Sequence, residues 1–306
     1  MRLAAAAALI AAPLSAAAAE AFVTNQGGDD LSVVDLATGA VTATIPIGGK
    51  PAGVAVAPDG RVWITSPDSA SLSVYDPRDG ALTRTALAGG PLGIAVNPVS
   101  GAVYVADWYG DRLFVVQGGA LTGQIATGRS PSGVAVTPDG ARILSADRDS
   151  DQVSVFDAAT HARLAVIPVG ARPFGVSVDA AGRFAYTANV GDDSVSVIDL
   201  GALRVTASVA VGARPYAVAL AGERGFVTNS YGDSVSVVDL ADHALVATID
   251  VGEYPEGIAA SRDGARVYVA NWFSNTLSVI DAATLEVVDE IAVGDGPRAF
   301  GNFLRE

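Results

Sequence analysis

A phrase that opens on proline recurs seven times along this chain, at Pro51, Pro91, Pro131, Pro173, Pro215, Pro255 and Pro297, at spacings of 40, 40, 42, 42, 40 and 42 residues. A period of this size leaves few folds open. Each repeat is one supersecondary unit that cannot bury its apolar face alone, so neighbouring copies must cover one another. Three further phrases keep the same period. One reads Phe22-Val-Thr-Asn and Phe226-Val-Thr-Asn in its fullest form, with looser copies from Trp63, Tyr104, Ile143, Tyr186 and Tyr268. Another, Ser-Val-Ser-Val-[Val/Ile]-Asp, closes at Asp35, Asp76, Asp157, Asp199, Asp239 and Asp281, with Gln117 in the place of the remaining aspartate. The last, Ala-x-Ile-x-Val-Gly, ends most units.

Each phrase is short, alternating and rich in Val, Ile and Thr, which suits strands half-buried on a pleated face. Turn signals such as Pro58-Asp-Gly, Pro138-Asp-Gly and Arg262-Asp-Gly separate them. Four strands per unit, with no helical periodicity, predict an all-β fold: a seven-bladed β-propeller with four antiparallel strands per blade. The phrase order also predicts how the ring closes. The repeats begin in mid-unit at Phe22 and end on a lone first strand, Arg298 to Leu304, so that C-terminal strand should pair with the N-terminal three. Closure of this kind removes free edges.

Composition narrows the chemistry. The chain has 306 residues and no cysteine, which excludes a disulfide scaffold, thiol catalysis and cysteine-held metal or haem centres. Nineteen basic against 33 acidic residues give a formal charge of −14, which opposes broad binding to duplex nucleic acid. The first 19 residues carry Arg2, an alanine- and leucine-rich run interrupted by Pro13 and Ser15, and small residues at Ala17 and Ala19. That is the pattern of a secretory signal peptide cleaved before Glu20. The expected product is one propeller domain over residues 20–306, periplasmic or secreted, and not membrane-spanning after cleavage.

The Tyr/Phe-Val-[Thr/Ala]-Asn phrase, the Asp-Ser-Val-Ser-Val-[Ile/Val]-Asp phrase and Val-Gly-x-x-Pro together resemble the repeat of the YVTN family of β-propellers, over essentially the whole mature chain. The resemblance implies a secreted or periplasmic seven-bladed propeller and no single catalytic reaction. The Gly-His and Trp-Asp signatures of WD-repeat proteins are missing, as are the tryptophan docking motifs and adjacent cysteines of quinoprotein dehydrogenases.

If the first strand lines the central channel, one face carries both the Val-Gly-x-x-Pro turns and the loops after the second strands. The former contribute Lys50, Arg129, Arg172, Arg214 and Arg298, with Glu253, Glu256 and Asp295 among them. Concentrated cations attract anions, and arginine grips carboxylate or phosphate with paired hydrogen bonds. The same residues could equally be solvated turn positions. Trp108, Tyr231 and Trp272 follow second strands on that face and offer a stacking surface for sugars, bases or a partner's side chains; packing between blades is the alternative. Phe174 and Tyr216 are expected to pack.

The inner strands, such as Gly-Val-Ala-Val and Gly-Ile-Ala-Val, line the channel with small uncharged side chains and argue against an enzyme. Asn97, Asp179 and Asn302 come late in those strands and do not compose a calcium site. His161 and His243 sit at matching turn positions, away from the cationic face. The sequence therefore designates no catalytic residue, metal ligand or cofactor. It points to an exported binding or scaffold protein for an anionic small molecule or a protein partner. Single-stranded nucleic acid fits the basic-plus-aromatic loops locally. A lactonase-type enzyme or a quinoprotein accessory is the alternative class.

Overall fold

The computed structural model describes residues 19–306, so the predicted signal sequence lies almost wholly outside the described residues. Seven four-stranded antiparallel sheets follow one another around a ring. Blades 1 to 6 begin with the innermost strands Val54–Val56, Pro91–Val96, Pro131–Val136, Pro173–Val178, Pro215–Ala221 and Pro255–Ala260. Blade 7 combines Leu304–Arg305 with Glu20–Asn25, Asp30–Asp35 and Ala40–Pro46, in that order. The expected closure is therefore present. Leu304 pairs with Ala21, Arg305 forms an ion pair with Glu20, and Pro297 makes a separate bridge to Asn25. Among the described residues no helix is long and apolar enough to cross a membrane.

The repeat letters each have a mechanical reason. The aromatic and valine of the second strand enter the core between blades: Phe22, Tyr104 and Phe226 are fully buried. The threonine ties one blade to the next. Thr24, Thr65 and Thr228 donate their hydroxyls to the carbonyls of Ala52, Leu92 and Glu256, at 2.8, 2.6 and 2.9 Å. The asparagine is a hub. Nδ2 of Asn25, Asn189, Asn229 and Asn271 donates to the serine hydroxyl seven residues on, at 2.8 to 3.0 Å. In blades 2 and 3 Asp107 and Asp147 take this place and accept instead, from Arg112 and Ser154 among others.

Glycine in Pro-x-Gly answers to close packing around the channel. A Cβ on Gly93 would stand 1.9 Å from the Ser132 carbonyl oxygen, and one on Gly133 would stand 2.5 Å from that of Phe174. The aspartate that closes the third strand organises the following turn. Asp199 accepts the N–H groups of Gly201 and Ala202 at 2.8 and 2.9 Å, and Asp35 and Asp281 repeat the arrangement. Such Asx turns favour the ionised carboxylate.

Candidate functional site: one rim of the propeller

The Val-Gly-x-x-Pro turns and the loops after the second strands do share a face, because the residue before five of the seven prolines is held by an acid from the preceding blade. Asp29, Asp151, Asp193 and Asp233 accept the backbone N–H of Lys50, Arg172, Arg214 and Tyr254, at 2.8, 2.7, 2.8 and 2.9 Å. All eight residues have positive φ, a conformation that costs energy outside glycine and needs such anchoring. Asp29 and Asp193 are thus blade-to-blade anchors.

This scaffold places the five cations differently from one another. Lys50 is paired with Asp29 at 3.1 Å and also donates to the Gly27 carbonyl. Arg129 is exposed and donates to the Asp149 carbonyl. Arg172 is exposed, and its side chain makes no hydrogen bond or ion pair among the described residues. The guanidinium of Arg214 lies 4.3 Å from the centre of the Tyr231 ring. Arg298 turns inward. Its Nε lies 3.0 Å from the Glu256 carboxylate and donates to the Tyr216 hydroxyl at 2.9 Å, while Nη1 donates to Gln26 at 3.3 Å. Arg129, Arg172 and Arg214 therefore form an arc on blades 3, 4 and 5, whereas Lys50 and Arg298 are engaged by acids. Arg148, on blade 3, lies 5.4 Å from the Trp108 ring centre and is paired with Asp149 at 2.6 Å.

The buried group beneath the rim has its own electrostatics. Burial pushes the Glu256 carboxyl above the ordinary glutamate value, opposed by the charge of Arg298 and by a hydrogen bond from Tyr216. Burial likewise pushes the Tyr216 phenol up. Desolvation acts against the charge on Arg298, but Glu256 and Tyr216 outweigh it and hold the guanidinium pKa above its usual value.

The aromatic side chains divide into two groups. Phe174, Tyr216 and Phe300 touch one another with ring centres 4.2, 5.2 and 5.3 Å apart, and with Ala52, Leu92 and Ile258 they form a core shared by six blades at this end of the channel. Trp108, half-buried, leans on Phe174 at 5.9 Å. The second group is open. Tyr254 stands 5.5 Å from Tyr231, 6.3 Å from Trp272 and 5.2 Å from Phe273. Together with Asp233, Glu253 and Glu256 these rings line a cleft of about 640 Å³ across blades 5 and 6, with Gln26 at its side. Tyr231 and Phe273 are 57% and 59% exposed, so packing alone does not account for them.

The channel itself forms a second cavity, of about 620 Å³, at the other end of the ring. Val56, Val96, Val136, Val178 and Ala260 line it, and Arg305 and Glu306 stand at its edge. Asn97 and Asp179 accept backbone N–H groups of their own turns, and His161 packs edge-on to Tyr104 with ring centres 6.2 Å apart. Among the described residues, no cluster of three or more His, Cys, Asp and Glu side chains is arranged to hold a metal ion.

The model of the YNCE-like beta-propeller family matches residues 2–303. The chain belongs to that family. No curated protein sequence matches this YNCE-like propeller. Solved structures share its fold at low identity. A functionally unknown protein from Desulfotomaculum acetoxidans is 15% identical with a TM-score of 0.80, the match covering 94% of this chain and 98% of that one. Hydrazine synthase from Kuenenia stuttgartiensis is 19% identical with a TM-score of 0.75, over 82% and 89% of the two chains. Virginiamycin B lyase from Staphylococcus aureus is 14% identical with a TM-score of 0.72, over 82% and 87%. At these identities the likeness establishes the fold alone.

Sequence reasoning missed the cleft of this YNCE-like propeller. Tyr231 and Trp272 read as a stacking surface, but Glu253 and Glu256 read only as charges among the cations. The available signal was the spacing of Tyr231, Tyr254 and Trp272, which places three aromatic residues on three loops of two adjoining blades at one face.

Proposed function

We propose that this chain is an exported binding propeller that engages an anionic ligand or partner on the rim bearing the Val-Gly-x-x-Pro turns. The arc of Arg129, Arg172 and Arg214 carries the reading. Three consecutive blades present an arginine from the turn that leads into the inner strand, and Arg172 has no protein acceptor among the described residues. Tyr231 beside Arg214 and Trp108 beside Arg148 flank the arc. Guanidinium groups next to flat rings suit a ligand that carries both anionic and planar groups, such as an anionic sugar or a single-stranded oligonucleotide. Export rests on the leader over the first 19 residues.

The test is a thermal-shift panel of anionic sugars, single-stranded oligonucleotides and quinone cofactors at low and high salt, on the mature protein and an Arg172→Glu/Arg214→Glu variant. A ligand at about 100 times its dissociation constant adds about 2.7 kcal/mol of stability. A shift that falls with salt and disappears in the variant supports an anion site on the arc. A shift unchanged in the variant moves the site elsewhere.

A further inference from the structure

The cleft beside the arc has the opposite character. Its walls are the rings of Tyr231, Tyr254, Trp272 and Phe273, and the charged side chains that line it are Asp233, Glu253 and Glu256, all acidic. Aromatic faces attract cations through their quadrupole, most strongly when a carboxylate lies nearby and water is partly excluded. Glu256 supplies that carboxylate from within the protein: the residue is only 6% exposed. Its Oε2 is ion-paired with Arg298 Nε at 3.0 Å but receives no hydrogen bond, because that N–H is directed at the Tyr216 hydroxyl. One member of the cluster already holds a cation, since the Arg214 guanidinium sits over Tyr231.

We propose that this cleft is a binding site for an organic cation of the alkylated ammonium class, adjoining the anion-binding arc at Tyr231 and resting on the same reading of the rim as a binding face. An alkylated ammonium matches the cleft on two counts. Its methyl groups pack on the rings with little loss of hydration, and its charge faces the carboxylates of Asp233 and Glu253, with Glu256 and its partner Arg298 beside them. A metal ion fits less well, because ring faces supply most of the wall and hard cations demand converging oxygens. Arg172 lies two blades from Glu253 and Glu256 and is not among the residues that line the cleft.

The probe is choline, titrated into the mature protein by calorimetry, alongside its neutral carbon isostere in which a tert-butyl group replaces the trimethylammonium. Choline should bind and the isostere should not. Phe273→Ala, at an exposed position that the fold tolerates, should weaken choline roughly threefold to thirtyfold, the range expected for one cation–ring contact. Glu256→Gln should weaken it further where the variant folds, and Glu253→Gln reports on the carboxylates if it does not. Arg172→Glu should bind choline as the parent does. Equal binding of choline and the isostere would overturn cation recognition, and so would absence of choline binding to the folded parent protein. Loss of oligonucleotide and anionic-sugar binding with choline binding intact would instead count against the arc alone, which separates the two failures.

Discussion

Arg298 and Glu256 meet 3.0 Å apart beneath the rim, and the contact joins the C-terminal segment to the neighbouring blade 6. Both are largely withdrawn from water, with side chains 17% and 8% exposed. A buried pair contributes little net stability, yet breaking it strands a charge. Arg298→Met should therefore destabilise the protein by about 3–5 kcal/mol, and Arg298→Met/Glu256→Met should regain most of that loss. Urea unfolding of the two variants checks it; equal losses in both would contradict the account of the pair.

Closure of the ring depends on the last residues. Phe303 is fully buried, and its carbonyl accepts the Phe22 N–H at 2.9 Å. Phe303→Ala should cost about 3–5 kcal/mol. Deletion of residues 298–306 should abolish the cooperative calorimetric transition or lower its midpoint far more than that substitution. A truncated protein that melts like the parent would disprove the clasp.

Close approach of the inner strands makes a further prediction. Gly133→Ala drives a methyl group against the Phe174 carbonyl and should cost about 1–3 kcal/mol. Blade 5 already carries alanine at the matching position, Ala217, so the penalty belongs to the tighter joints and not to the motif as such.

Stability should fall in acid, and the turn aspartates set the range. Asp35, Asp76, Asp157, Asp199 and Asp281 all lie below the ordinary value of 3.8, and Asp76 is lowered to about 2, chiefly by its side-chain hydrogen bond from Arg78. Carboxylates depressed in the folded state stabilise it above their unfolded pKa, and the contribution is lost as pH falls through the folded pKa. The melting temperature should therefore decline between about pH 4 and pH 2. Asp199→Asn should flatten part of that decline and leave ligand binding unchanged. A flat melting profile across the range would contradict it.

Much of the fold was legible because each letter of the repeat does one mechanical task. Thr24 and Thr228 reach the next blade, Asn25 and Asn229 hold the turn, and the same letters reappear where the same contacts are needed. The lone phrase after Pro297 disclosed the closure for the same reason. The rim was less legible, since its side chains depart from the repeat. Arg214 and Arg298 occupy similar positions in sequence, one just before and one just after a repeat proline. One ends over an exposed ring, and the other is drawn under the surface by Glu256 and Tyr216. Those two partners come from different blades, and spacing along the chain carries no information about which blade's acid lies within reach.

The central claim is that the arginine arc binds anions, and the salt dependence of a single-stranded oligonucleotide's affinity tests it most directly. Each phosphate contact contributes about 0.7 to the slope of log affinity against log salt. The parent protein should lose affinity as salt rises, and Arg172→Ala and Arg214→Ala should each weaken binding and reduce the slope by about that amount. Affinity and slope that stay the same in both variants would contradict the assignment of the arc.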